Sequence, residues 1–238
     1  MNQKITFKSI VFFDFGFKFI LNRFKNCGGY IVAPAASALA DINKKKFYYK
    51  SLRFADVAIL DSGFFCILIN LFWNIKVKKL SGYLFLKKLL ETKELSSKKF
   101  FLINPSIKEE KINYNLLRKN NFLNQKSYCA PIYNLSNYKD QKLLKKINLY
   151  KPDIIIINLG GGIQEPLGFY LKNNIRKKNT FIVCTGAAIG FHTKVQAPIN
   201  VFYDKLYLGW LVRLIHKPKN YFPRVIQSIN LLNFFLKK

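Results

Sequence analysis

Acid is what this chain has least of: 12 Asp and Glu stand against 40 Lys and Arg in 238 residues, a formal net charge of +28. An AT-rich coding bias favours lysine, but it favours glutamate too, so the shortage of acid points to a polyanionic partner. Anionic lipid headgroups, nucleic acid or a phosphate-bearing substrate all qualify. The four cysteines, Cys27, Cys66, Cys129 and Cys184, form no pair at metal-ligand or redox spacing, which excludes a disulfide framework and a zinc site and suits a reducing cytosol. No Asp-x-Asp pair of the sort that holds a metal is present, and no cofactor is expected. No apolar run approaches the roughly 20 residues of a bilayer span. Gly63 to Trp73 is short and carries Asn70, while Ile10 to Leu21 is broken by Asp14 and Lys18 and lacks a small-residue cleavage site. Any meeting with a membrane is therefore expected at its surface.

Half of the residues are hydrophobic, enough to bury a core. After a basic, Phe-rich stretch read as an N-terminal arm over 1–29, short β-rich apolar runs alternate with Lys-rich segments of helical spacing. The pattern predicts strands at Tyr30–Ala33, Val57–Leu60, Phe100–Ile103, Ser127–Ala130, Ile154–Asn158 and Phe181–Cys184. Helices are predicted over Ala36–Phe47, Phe64–Phe72, Leu84–Glu91, Lys108–Asn120, Lys139–Ile147 and Gln164–Asn174. The alternation specifies an α/β fold: a single Rossmann-like domain over 30–202, with a mostly parallel sheet flanked by helices. Near Tyr203 it gives way to a basic helical appendage over 203–238. Ligands of such sheets bind beyond the carboxyl ends of the strands, so chemistry is sought just after each apolar run.

Asp61 follows Val57-Ala58-Ile59-Leu60 and precedes Ser62-Gly63. There it is either a cap for the next helix or a general base facing the crevice. Ile154 to Asn158 runs into Leu159-Gly160-Gly161-Gly162-Ile163-Gln164-Glu165, a buried strand entering a glycine-rich turn and a helix start. Such a turn lets backbone amides meet an anion closely, or is simply tight; its spacing fits neither a dinucleotide fingerprint nor a P-loop. Thr185-Gly186-Ala187-Ala188 repeats the theme after the next strand. His192 and His216 lack partners at ligand or triad spacing and are assigned to packing or surface. No acid occurs from Lys205 onward, where Lys205, Arg213, Lys217, Lys219, Arg224, Lys237 and Lys238 lie. Arg213 and Lys217 are one turn apart on a helix from Tyr203 that Pro218 ends. Val225, Ile229, Leu232 and Leu236 then form a stripe that either docks on the body or lies among headgroups.

These segments together resemble the WecG/TagA/CpsF glycosyltransferases over roughly Ile31 to Arg224. The turn ending in Gln164-Glu165 is similar to that family's Gly-x-Pro-x-Gln-Glu signature. Ala197-Pro198, Gly209-Trp210 with Arg213, and Pro218 with Arg224 follow in the order of its Arg-Ala-Pro, Leu-Glu-Trp-x-x-Arg and Pro-x-Arg segments. Ala55 to Gly63 resembles the segment carrying the family's proposed catalytic base, Lys79-Leu80-Ser81-Gly82 its Arg-x-x-Gly, and Ala130 to Tyr133 a donor-site segment. Gly162 and Ile163 stand where Pro and Lys are usual, Gln196 where Arg is, and Gly209 where Glu is.

The resemblance implies an inverting transfer of an N-acetylmannosamine-type or related sugar from a UDP-sugar to a polyprenyl-diphosphate-linked acceptor, without metal, in polysaccharide biosynthesis. It implies Asp61 as catalytic base. Lys79, Gly160, Gly161, Gly162, Gln164, Glu165, Thr185, Gly186, Arg213 and Arg224 become expected substrate-binding residues. The appendage is expected to bind an anionic membrane surface, which places the chain in the cytoplasm on the inner face of the cell membrane. The rival readings are a non-catalytic protein binding anionic lipid or RNA, and an inactive homologue. Nucleic acid is not expected, because no recognition motif is present and the aromatics lie in apolar runs that core packing explains.

Overall fold

The structure, a computed structural model, describes residues 3–236. Lys237 and Lys238 of the basic tail lie outside the described residues. In chain order the elements are β1 (Gln3–Phe7), β2 (Ile10–Asp14), α1 (Phe17–Cys27), β3 (Gly29–Val32), α2 (Ala36–Ala40), α3 (Lys46–Arg53), β4 (Val57–Ile59), α4 (Gly63–Phe72) and α5 (Gly82–Glu91). Then come β5 (Phe100–Asn104), α6 (Ile107–Lys119), β6 (Gln125–Cys129), α7 (Gln141–Tyr150), β7 (Ile154–Ile157), α8 (Gln164–Asn174), β8 (Phe181–Cys184) and α9 (Ile189–His192). The tail holds α10 (Val201–Lys205), α11 (Gly209–His216), α12 (Pro218–Ile229) and α13 (Asn233–Leu236).

One eight-stranded sheet runs in the order β1-β2-β4-β3-β8-β7-β5-β6. Its first pair is antiparallel and every other pair parallel. The apolar runs explain why it is buried on both faces: side chains alternate across a strand, so a continuous run feeds two cores. Ile155 and Ile157 enter one core with helices α3, α4, α7 and α8, while Ile154 and Ile156 enter the other with α1, α5 and α6.

The first residues are not an arm outside this body. β1 and β2 form a hairpin whose second strand pairs with β4, and Ile5, Phe7, Ile10 and Phe12 are core. The hairpin turn is Lys8-Ser9, both at positive φ (48° and 56°), the geometry of a two-residue turn that Asn-Gly usually fills. The helix expected over Ala36–Phe47 is two helices, α2 and α3, with the chain leaving helical geometry at Lys45.

The tail also departs from the helix expected from Tyr203. The 203 boundary falls inside α10, and the helix that carries Arg213, α11, begins only at Gly209; Lys217 caps its end, the Lys217 amide donating to the Arg213 carbonyl one turn back, and Pro218 opens α12. Leu231 rather than the expected stripe is fully buried, whereas Ile229 and Leu236 are exposed. Phe235 of α13 packs against Phe7, Phe65 and Trp73, which ties the end of the chain to the hairpin at its beginning. Among the described residues no helix is long and apolar enough to cross a membrane.

Candidate active site

All the expected site residues except Arg224 gather into two groups beyond the carboxyl ends of β4, β7 and β8. The first is built around Asp61. The cap of α4 is Ser62, whose hydroxyl accepts the Phe65 amide at 3.2 Å, so Asp61 is released from capping. Its Oδ1 accepts the Gly82 amide at 2.7 Å; among the described residues no donor reaches Oδ2. Burial raises the carboxyl above the usual carboxylate range, and the Arg213 guanidinium, the Gly82 amide and the Lys79 ammonium oppose that rise. Lys79 itself is occupied: its ammonium lies 2.7 Å from Asp204 Oδ1 in a pair with both side chains over nine-tenths buried. The guanidinium of Arg213 lies 4.7 Å from the Phe191 ring, and its Nε, buried, has no partner among the described residues.

The second group is the glycine-rich turn and its neighbour. Gly162 requires its glycine, because its φ is +94° and other residues are strained there. Gly160 and Gly161 do not: neither has positive φ. A Cβ built at Gly160 would meet no described atom within 4 Å, and one at Gly161 would meet only Glu165 Oε1 at 3.9 Å. The fold leaves both positions free to carry a side chain, so their bareness fits close approach by a ligand. The amide of Gly162 is committed to Glu165 Oε2 at 2.7 Å, and among the described residues the Gly160 and Gly161 amides are left as open donors. Gln164 ties the two loops: its Nε2 donates to Glu165 Oε1 at 2.9 Å and its Oε1 accepts the Gly186 amide at 2.8 Å. Burial pushes the Glu165 carboxyl up to about 7. Thr185 is buried with its hydroxyl unpartnered among the described residues.

Gly82 joins the groups, since its amide holds Asp61 and a Cβ there would stand 3.0 Å from Thr185. Arg224 is not brought in by any contact of the described residues: it is exposed, 5.4 Å from the Tyr221 ring. His192 stacks on Tyr83 at 4.7 Å, and burial lowers its pKa. Ser81, present only as part of the Lys79–Gly82 segment, and Asp204 were not among the expected site residues. Asp204 carried one signal, as the last acid of the chain.

The tail touches the body at three places near the strand ends. Tyr207 lies on Gly63, where a Cβ would be 2.6 Å from its ring. Lys217 is near enough to Glu109 of α6 to pull against the burial that raises that carboxyl, and Gln227 donates to Asp41. A cavity of about 890 Å³ opens beyond β6, lined by Glu110, Ala130, Tyr133, Asp140 and Lys146 among others. It sits five strand spacings, roughly 24 Å, from Asp61, with the glycine turn between. Among the described residues no cluster of His, Cys, Asp and Glu is placed to hold a metal.

Among the described residues, a free carboxylate oxygen and a bare glycine turn with open amides, both at strand ends, together with an arginine of α11, suit transfer of a group from a phosphate-bearing donor. A model of the Glycosyl transferase WecG/TagA/CpsF family matches residues 9–238, nearly the whole chain, while no curated protein matches. The chain belongs to the WecG/TagA/CpsF family of glycosyltransferases, enzymes of cell-surface polysaccharide synthesis.

Proposed function

We propose that this enzyme moves an N-acetylmannosamine-type or related sugar from a UDP-sugar to a polyprenyl-diphosphate-linked acceptor at an anionic membrane surface, with Asp61 as base. The observation that carries the reading is the uncommitted Oδ2 of Asp61, on a carboxylate aimed by Gly82 rather than spent on capping. Oδ2 takes the proton of the acceptor hydroxyl, the hydroxyl oxygen attacks the anomeric carbon, and the bond to UDP breaks on the opposite side with inversion. The negative charge that grows on the leaving diphosphate is met by the Gly160 and Gly161 amides and by Arg213, donors fixed before reaction. Arginine suits this place because its planar fork can bond two oxygens.

The membrane part of the proposal rests on the tail. Phe202, Leu206, Trp210, Ile215, Phe222 and Ile226 are all exposed by 48% or more, on a segment whose only acid, Asp204, is buried against the body. Apolar side chains entering the headgroup layer and lysines pairing with anionic lipid together make an interfacial surface.

The test is to incubate the protein with a panel of UDP-sugars and a short-chain polyprenyl-diphosphate-linked sugar and to follow the product by mass. Asp61→Asn keeps shape and removes basicity, so turnover falls by about 10²–10⁴-fold while donor binding persists. Near-normal turnover in that variant refutes the base assignment, and no product with any donor favours an inactive homologue.

A further inference from the structure

Among the buried acids that have no part in the scheme above, one stands beside Asp61. Asp204, in α10, is 6% exposed. Both its backbone carbonyl and its Oδ1 accept from the Lys79 ammonium, at 2.6 and 2.7 Å, and its Oδ2 accepts the Ser81 hydroxyl at 2.8 Å. The Ser81 oxygen in turn caps α5, accepting the Leu84 amide at 3.0 Å. The next residue is Gly82, whose amide holds Asp61 Oδ1. One turn beyond Asp204, Tyr207 closes on Gly63, and the Lys79 ammonium stands 5.4 Å from its ring. A residue of the tail, 143 positions after Asp61 in the chain by their numbers 204 and 61, thus grips the very loop that aims the carboxylate.

Only a small displacement of Gly82 is needed to matter. The amide is the one described hydrogen-bond donor on Asp61, and Thr185 packs close against Gly82, where a Cβ would stand 3.0 Å from it. The position of the loop is therefore set from two sides, by Thr185 of the body and by Asp204 of the tail. A buried acid gripped by a lysine and a serine is costly to place for packing alone, because burial strips both charges of water.

We propose that Asp204 is a positioning residue for the transfer reaction: it seats the tail on the Lys79–Gly82 loop and so fixes the orientation of Asp61. The proposal rests on the reading of Asp61 as base. It makes the base competent only while the tail is seated, which couples chemistry to a segment that also carries the exposed apolar surface.

The experiment is a double-mutant cycle on turnover, with Asp61→Asn, Asp204→Asn and the two combined, each also titrated with UDP. Asp204→Asn is expected to lower kcat by about 10²-fold, the scale of a misplaced reacting group, with UDP affinity within twofold of the parent, because the glycine turn is not touched and Arg213 keeps its own contact with the Phe191 ring. In the Asp61→Asn background the same change is expected to cost nothing further. Asp204→Glu, which keeps the charge, recovers part of kcat.

If Asp61→Asn retains turnover, the base assignment fails whatever Asp204 does. If Asp61→Asn is inactive but Asp204→Asn keeps full kcat, the positioning role alone is overturned. Multiplicative losses in the combined variant overturn it as well, since Asp204 would then act elsewhere. Should Asp204→Asn fail to fold by far-ultraviolet circular dichroism, Lys79→Met with Asp204→Leu removes both charges without stranding one. A loss of kcat with retained UDP binding in that pair supports the proposal, and unchanged kcat refutes it.

Discussion

Gly161→Ala separates a glycine kept for a ligand from one kept for the fold. Gly161 has an ordinary φ, and its new methyl would meet only Glu165 Oε1 at 3.9 Å, a normal contact. An alanine at a compatible position narrows the unfolded ensemble and stabilises by about 0.4–1 kcal/mol. For a chain of this size a kilocalorie moves Tm by about 2–4 °C, so the melting temperature rises by about 1–4 °C. UDP affinity moves the other way. A methyl where a phosphate approaches costs the 1–3 kcal/mol of an overfilled contact, or about 5–150-fold in Kd. Valine at the same place deepens the loss of binding. Gly162→Ala is the control, because its φ of +94° charges any side chain about 1–3 kcal/mol of strain and Tm falls. Thermal melts and calorimetric titration with UDP read both quantities on the same samples. A lower Tm for Gly161→Ala would show that the fold needs the glycine; an unchanged Kd would remove the turn from the donor site.

Two further outcomes follow from burial and exposure. Glu165 holds its proton up to about 7 in the folded chain against an ordinary 4.5, so the folded state binds more protons than the unfolded one between those values. Stability contributed by this group therefore falls as pH rises from 4.5 to 7, by roughly 3 kcal/mol in all. Glu165→Gln flattens that decline, which denaturant melts at pH 5 and pH 8 measure; an unchanged pH dependence refutes the assignment. Phe222→Asp weakens binding to vesicles of anionic lipid at every salt concentration, whereas raising salt weakens only the basic contribution of the parent chain. Equal salt sensitivity in both effects, read by vesicle sedimentation, would argue against an inserted apolar surface.

Six strands and the helices between them, apart from α2 and α3, which were read as one, were legible because their signal is local. Ile154 to Ile157 is an unbroken β-branched run, and it reads as a doubly buried strand wherever its neighbours lie. The glycine-rich turn and Asp61 at the end of β4 were legible for the same reason, since strand ends are where an α/β sheet exposes chemistry. The hairpin at the start of the chain was not, because its turn is Lys8-Ser9 and the positive φ values at both positions carry no glycine or asparagine signal. Nor could local pattern tell Gly162, held by its backbone, from Gly160 and Gly161, which are bare. That distinction depends on atoms brought in by folding. Capping of α4 by Ser62, the seating of Arg213 near Asp61 while Arg224 stays outside, and the grip of Asp204 on Lys79 and Ser81 are likewise tertiary facts. Hydropathy and spacing report which residues are apolar within a turn or two of helix or strand. Which buried charge meets which, across 125 residues in the case of Lys79 and Asp204, is decided by the sheet order and by where the tail comes to rest, because the free energy of that contact exists only once both sides have been stripped of water together.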